Sequence, residues 1–140
     1  MTPDPGDSAR PQVGTTRRLL GAKLPPDGDL TPDAQGNVGP TCHGMSVAPS
    51  LRTLPAHRCP GRLRHLRPGA SGNDRDRVFR FGEGTFVARP VAPGLWLCPD
   101  KVPTPEHGVV EPDAVMPATD YHARLAATKP SWVLDETGLP

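Results

Sequence analysis

Apolar residues in the second half of the chain fall in short runs with a period of two. In Arg77-Val78-Phe79-Arg80-Phe81, Val78 and Arg80 share one face of an extended chain, and Phe79 and Phe81 share the other. Thr85-Phe86-Val87-Ala88 follows a Gly82-Glu83-Gly84 turn, and Leu95-Trp96-Leu97-Cys98 stands between Pro93-Gly94 and Pro99-Asp100. These runs predict an antiparallel β unit, and His107-Gly108-Val109-Val110-Glu111, closed by Pro112, predicts a further strand. Helical spacing governs Ala118 to Thr128. Pro117 stands at the first turn, Asp120 suits the N-terminal dipole, Pro130 ends the segment, and Tyr121, Leu125 and Thr128 share a face. A short helix or 3₁₀ turn is expected around Ser50 to Leu54. Val78, Phe86, Leu95, Leu97, Val109, Met116 and Leu125 form the expected core, with the strands packed on the helix.

Composition limits the rest. Pro and Gly supply 35 of the 140 residues, so long helices are excluded. Leu, Val and Phe total 27 and Ile is absent, but the net charge of only +1 does not favour disorder. Residues 1 to about 15 have turn formers and little to bury, so they are expected to be a flexible tail without secondary structure. Residues 16–140 are then one small domain. Neither a signal sequence nor an apolar span is recognisable. Cys42, Cys59 and Cys98 are odd in number and form no CxxC pair, which predicts free thiols in a reducing compartment, with cytoplasmic residence as the default.

Thirteen Arg against three Lys reads as codon bias. Residues 52–89 hold nine Arg against three acids, while residues 100–140 hold seven acids against three bases; mutual attraction of the two segments is expected. The run Arg58, Arg62, Arg64, His65, Arg67 could contact phosphates but has no aromatic ring for base stacking. Cys42, His43, His57 and Cys59 are metal-binding types, yet adjacent Cys42 and His43 point apart on an extended chain, so no metal is expected. Ser46 lies in Gly44-Met45-Ser46-Val47, which lacks the second glycine of a nucleophile elbow.

Three stretches taken together carry a resemblance. Leu30-Thr31-Pro32-Asp33 with Gly36, Val38 and Pro40, then Gly44-Met45-Ser46-Val47, then Val78-Phe79-Arg80 through Pro93-Gly94-Leu95 to Cys98-Pro99-Asp100 follow one another in order. His107-Gly108-Val109-Val110-Glu111-Pro112, Met116-Pro117 and a helix with Tyr121 and Leu125 continue it. Over about residues 17–128 the chain resembles the type VI secretion effectors with an ADP-ribosyltransferase-like fold and their stand-alone relatives.

The resemblance implies an α+β domain on a small bent or split antiparallel sheet with a C-terminal helix. It also implies a toxin-like ADP-ribosyltransferase, or an NAD-binding pseudoenzyme, acting on a protein or nucleic-acid target in the cytoplasm, with an immunity-type protein as a further partner. Carried over by position, Arg18 is the early arginine that would pair with the NAD pyrophosphate. Ser46 is the strand serine that would hold the nicotinamide ribose or amide, and His107 is the closing-strand histidine beside the reacting carbon. Glu111 or Glu106 is the candidate for the ribose 2′-OH. The family's aromatic positions are Arg17 and Ala48 here, so a stacking ring must come from Phe79, Phe81, Trp96 or Tyr121. Phe81 is taken as the NAD-facing ring, and Ser46, His107 and Glu111 as the catalytic set. The alternative is a non-catalytic interaction module, such as a toxin-neutralising or phage-type accessory protein, docking through its Arg-rich and acidic faces. A nucleic-acid accessory protein using the Arg58 to Arg67 run is a third.

Overall fold

The computed structural model describes residues 1–82 and 85–137. Glu83 and Gly84 of the expected turn lie outside the described residues. Ten short strands and one helix follow in chain order: β1 (Pro3–Asp4), β2 (Asp7–Pro11), β3 (Asn37–Val38), β4 (Met45–Val47), β5 (Phe79–Phe81), β6 (Arg89–Ala92), β7 (Leu95–Cys98), β8 (Gly108–Pro112), β9 (Met116–Pro117), α1 (Ala118–Ala127) and β10 (Trp132–Leu134). The expected mixture of small antiparallel sheets and a C-terminal helix is present. Among the described residues the largest sheet has order β4-β8-β7-β6, all antiparallel, and β1-β2, β3-β9 and β5-β10 form three separate two-stranded pairs.

Three expectations are corrected. Thr85 to Ala88 is not a strand; pairing starts at Arg89, so β6 and β7 form the hairpin across Pro93-Gly94. Pro90 sits within β6, which is an edge strand, where a missing N–H is tolerated. Gly94 takes φ 76° against the Arg124 side chain, a site where a Cβ would collide. Residues 1–15 carry two strands rather than none. Pro11 is fully buried, Thr2 N–H donates to Arg18 O at 2.7 Å, and Gln12 N–H donates to Thr2 O at 2.9 Å. Finally, Cys42 and Cys98 form a disulfide with Cα atoms 5.7 Å apart, and buried Cys59 is the odd thiol. Counting cysteines failed because one of the three is simply a core residue.

The main core joins both halves of the chain: Leu20, Ala22, Leu30, Val38 and Met45 pack with Leu95, Val110, Tyr121, Leu125 and Trp132. A second cluster places Val78 with Leu51, Cys59, Leu63 and Ala70 beneath the 3₁₀ turns at Leu51–Thr53 and Gly61–Leu63. Leu97 and Val109 are buried as expected, whereas Phe86 and Met116 are only half-buried. Thr128 closes α1 by donating to Leu125 O at 2.6 Å and accepting the Trp132 indole N–H at 2.9 Å. The expected attraction between segments is realised, with Arg62 and Arg77 on Glu136 and Arg80 on Asp135. Arg64 and Arg67 of the basic run spend donors on the carbonyls of Ala70 and Leu54. No helix among the described residues is long and apolar enough to cross a membrane.

Candidate functional site

Strand alternation sorts the main sheet into two faces. In the register Met45↔Val110, Ser46↔Val109, Val47↔Gly108, the residues Met45, Val47 and Val110 turn to the core side, so Ser46 and Val109 turn to the other. The β7-β8 register, Leu97↔Val110 and Cys98↔Val109, adds Cys98 to that second face, with Trp96 and Glu111 paired beside it. His107 and Asp100 flank these strands in the loop joining β7 to β8. Lys101 N–H donates to His107 O at 3.0 Å and His107 N–H to Thr104 O at 3.1 Å, which fixes that loop. Polar side chains far apart in sequence thus converge on one sheet face.

Their geometry is a relay. Asp100 Oδ1 lies 2.6 Å from His107 Nδ1, and His107 Nε2 lies 3.2 Å from Ser46 Oγ. With the carboxylate ionised, Nδ1–H donates to Asp100 and Nε2 is left to accept the Ser46 hydroxyl proton. The three residues line a shallow, open pocket of about 200 Å³ with Asp29, Cys42, His43 and Gly44. Gly44 is needed there, because a Cβ would collide with the Val110 carbonyl and the Tyr121 hydroxyl. Asp29 is held by Arg17 Nε at 3.2 Å and by Lys23 N–H at 3.0 Å, and Arg17 Nη2 donates in turn to Asp27 O at 2.7 Å. Glu111 is buried behind the pocket and accepts Cys42 N–H at 2.5 Å. Burial pushes its carboxyl above the ordinary range, against the opposing pull of that N–H and of the His43 ring.

Of the residues expected at the site, Ser46 and His107 meet, and Glu111 stands behind them. Arg18 does not line the pocket; its guanidinium grips Asp76 through two bonds, at 2.7 and 3.1 Å. Phe81 does not line it either. Its ring stacks on Trp132 with centroids 5.0 Å apart, beside a wider groove of about 560 Å³ bounded by Val91, Asp120 and Arg124. Glu106 is exposed in the β7-β8 loop. Asp100, Asp29, Arg17 and the disulfide were not foreseen. Asp100 was within reach of a register argument: once β7 pairs with β8 through Cys98↔Val109, position 100 falls opposite position 107. No protein-family model, curated protein or solved structure matches the chain.

Proposed function

We propose that the chain is an NAD-cleaving transferase of the ADP-ribosyltransferase type, with Ser46, His107 and Asp100 at the reacting centre. One observation carries the reading. Ser46 and His107, 61 positions apart and paired beforehand by the sequence resemblance, stand 3.2 Å from each other in one pocket. In this reading NAD is the substrate and the Ser46 hydroxyl orients the nicotinamide ribose. The C1′–N bond breaks with its electron pair leaving on nicotinamide, and a C1′–O bond forms to an acceptor hydroxyl whose proton passes to His107 Nε2. By accepting Nδ1–H, Asp100 fixes the tautomer that presents Nε2 as the acceptor, and it compensates the imidazolium as it forms. We assign the pyrophosphate to Arg17, which is bonded to the pocket-lining Asp29, rather than to Arg18, which is bonded to Asp76; neither guanidinium lines the pocket itself. Toxin-like action on a cytoplasmic target belongs to the same proposal.

A second reading, acyl transfer with Ser46 as nucleophile, is favoured by Asp100 on Nδ1, the arrangement that serine hydrolases use. Oxyanion stabilisation weighs against it. Ser46 sits within β4 rather than at a turn, Met45 N–H is bound to Tyr121 Oη at 3.0 Å, and Cys42 N–H is bound to Glu111. An oxyanion donor contributes about 10²–10³ in rate, and these neighbouring donors are engaged.

One pair of assays separates the readings: nicotinamide release from NAD, and labelling of Ser46 by a fluorophosphonate alongside hydrolysis of an activated ester. Nicotinamide release that disappears in Ser46→Ala and His107→Ala supports the transferase. A Ser46 adduct with ester turnover and no NAD consumption replaces it with acyl transfer, and silence in both assays removes both.

A further inference from the structure

The disulfide and Glu111 form a second cluster that the proposed reaction does not use. Cys42 Sγ, Cys98 Sγ and a Glu111 carboxylate oxygen all lie within 4.8 Å of one another. They come from three places in the fold: the loop before β4, the end of β7, and the penultimate position of β8. Cys42 takes φ 57°, which turns its N–H onto Glu111 Oε2, so loop and carboxylate are already docked. Glu111 is 5% exposed and both cysteines are half-buried.

We propose that, with the disulfide reduced, Cys42, Cys98 and Glu111 bind a thiophilic divalent ion of the zinc class as a two-sulfur, one-oxygen site. Two thiolates each about 2.3 Å from a common tetrahedral ion sit roughly 3.7 Å apart, and a carboxylate oxygen at about 2.1 Å completes the same span. In the oxidised chain the two sulfurs are bonded, with Cα atoms 5.7 Å apart, and the Glu111 oxygen lies within 4.8 Å of both; metal binding therefore follows cleavage of the S–S bond and parting of the two sulfurs to that thiolate separation. His43 lies outside the three-residue cluster, with its Nδ1 on Thr41 Oγ1 at 3.0 Å, so water is the fourth ligand. Reduction by a phosphine balances as disulfide, phosphine and water giving two thiols and phosphine oxide. Binding the ion then releases the two thiol protons. Disulfide and metal exclude each other, because the same sulfurs hold both. The inference stands apart from the NAD reading.

Cobalt(II) provides the test, since it takes the same ligands and reports thiolate bonds by a charge-transfer band in the near ultraviolet. The full chain, reduced with a phosphine, is expected to bind one Co²⁺ with that band and to release it to Zn²⁺. The oxidised chain should show no band. Cys98→Ser should abolish the band, Glu111→Gln should weaken affinity by at least about tenfold, and Cys59→Ser should leave both unchanged. Circular dichroism of each variant checks that the fold is kept. A reduced, folded wild-type chain without the thiolate band overturns the proposal, as does an unchanged affinity in folded Glu111→Gln.

Discussion

The Tyr121 hydroxyl donates to the Val110 carbonyl at 2.5 Å and so hangs the helix on β8, an inner strand of the main sheet. The same oxygen accepts Met45 N–H at 3.0 Å, so one side chain satisfies two backbone groups of neighbouring strands in a fully buried position. Burial raises the phenol's pKa, which keeps it a neutral donor. Tyr121→Phe should therefore cost about 1–3 kcal/mol for each backbone group left unsatisfied. Urea unfolding measures it; a change below half a kcal/mol would show that water replaces the hydroxyl.

The helix, the β7 and β8 strands and the Leu51 turn were legible because each is a local pattern bounded by Pro or Gly. Strands β3, β9 and β10 were not. They are two or three residues long, too short for a period, and they form only because partners distant in sequence meet them, as Trp132 meets Phe81 and Val38 meets Met116. The N-terminal strands were missed for a related reason: Asp7, Ser8 and Ala9 are exposed, and only Pro11 is buried. At the site, motif order brought out Ser46 and His107. Arg18 and Phe81 fall outside that pocket, and neither order nor composition reveals their pairing with Asp76 and Trp132. Asp100 required the strand register.

Removal of residues 1–11 should destabilise the fold, contrary to what their composition suggests. The segment buries Pro11, pairs Thr2 with Arg18 and Gln12, and sets Asp4 against Lys129. A loss of about 2 kcal/mol corresponds to a fall in Tm of roughly 5–10 °C for a chain of this size. Calorimetry of the truncated chain decides; an unchanged Tm returns the segment to the status of a tail.

Acid should loosen the Glu136 clamp. Burial by itself would raise this carboxyl, but Arg62, at 2.5 and 2.8 Å, outweighs it with help from Val78 N–H and Arg77 and holds it below its ordinary 4.5. A carboxyl lowered in the folded state stabilises above its unfolded pKa, and that contribution disappears as pH falls from about 4.5 through the folded value. Buried Glu111, whose carboxyl is raised, acts with the opposite sign: its cost is absent in acid and appears as pH rises past 4.5. In a Tm series from about pH 6 to about pH 3, Glu136→Gln should flatten the acid limb and Glu111→Gln should steepen it. Parallel curves for all three proteins would remove both assignments.

Reduction of Cys42–Cys98 opens a loop spanning 56 positions, for which the chain-entropy relation gives about 4 kcal/mol as an upper bound. The urea midpoint should fall on reduction in metal-free buffer, and Cys98→Ser should reproduce the fall without a reductant. If reduction leaves the midpoint in place, the bridge adds no stability.

Four variants should separate the roles proposed for a transferase at the site. His107→Ala removes the proton acceptor and should lower kcat for nicotinamide release by about 10²–10⁴ with little change in KM. Ser46→Ala removes an orienting hydroxyl and should raise KM more than it lowers kcat. Arg17→Ala should also raise KM, since a charge-assisted contact to pyrophosphate is roughly twice as strong as a neutral hydrogen bond. Arg18→Ala should behave differently: its two bonds to Asp76 are structural, so stability falls while both kinetic constants hold. Steady-state kinetics alongside thermal melts reads all four. Loss of turnover in Arg18→Ala at unchanged stability would restore that residue to the site and displace Arg17 from it.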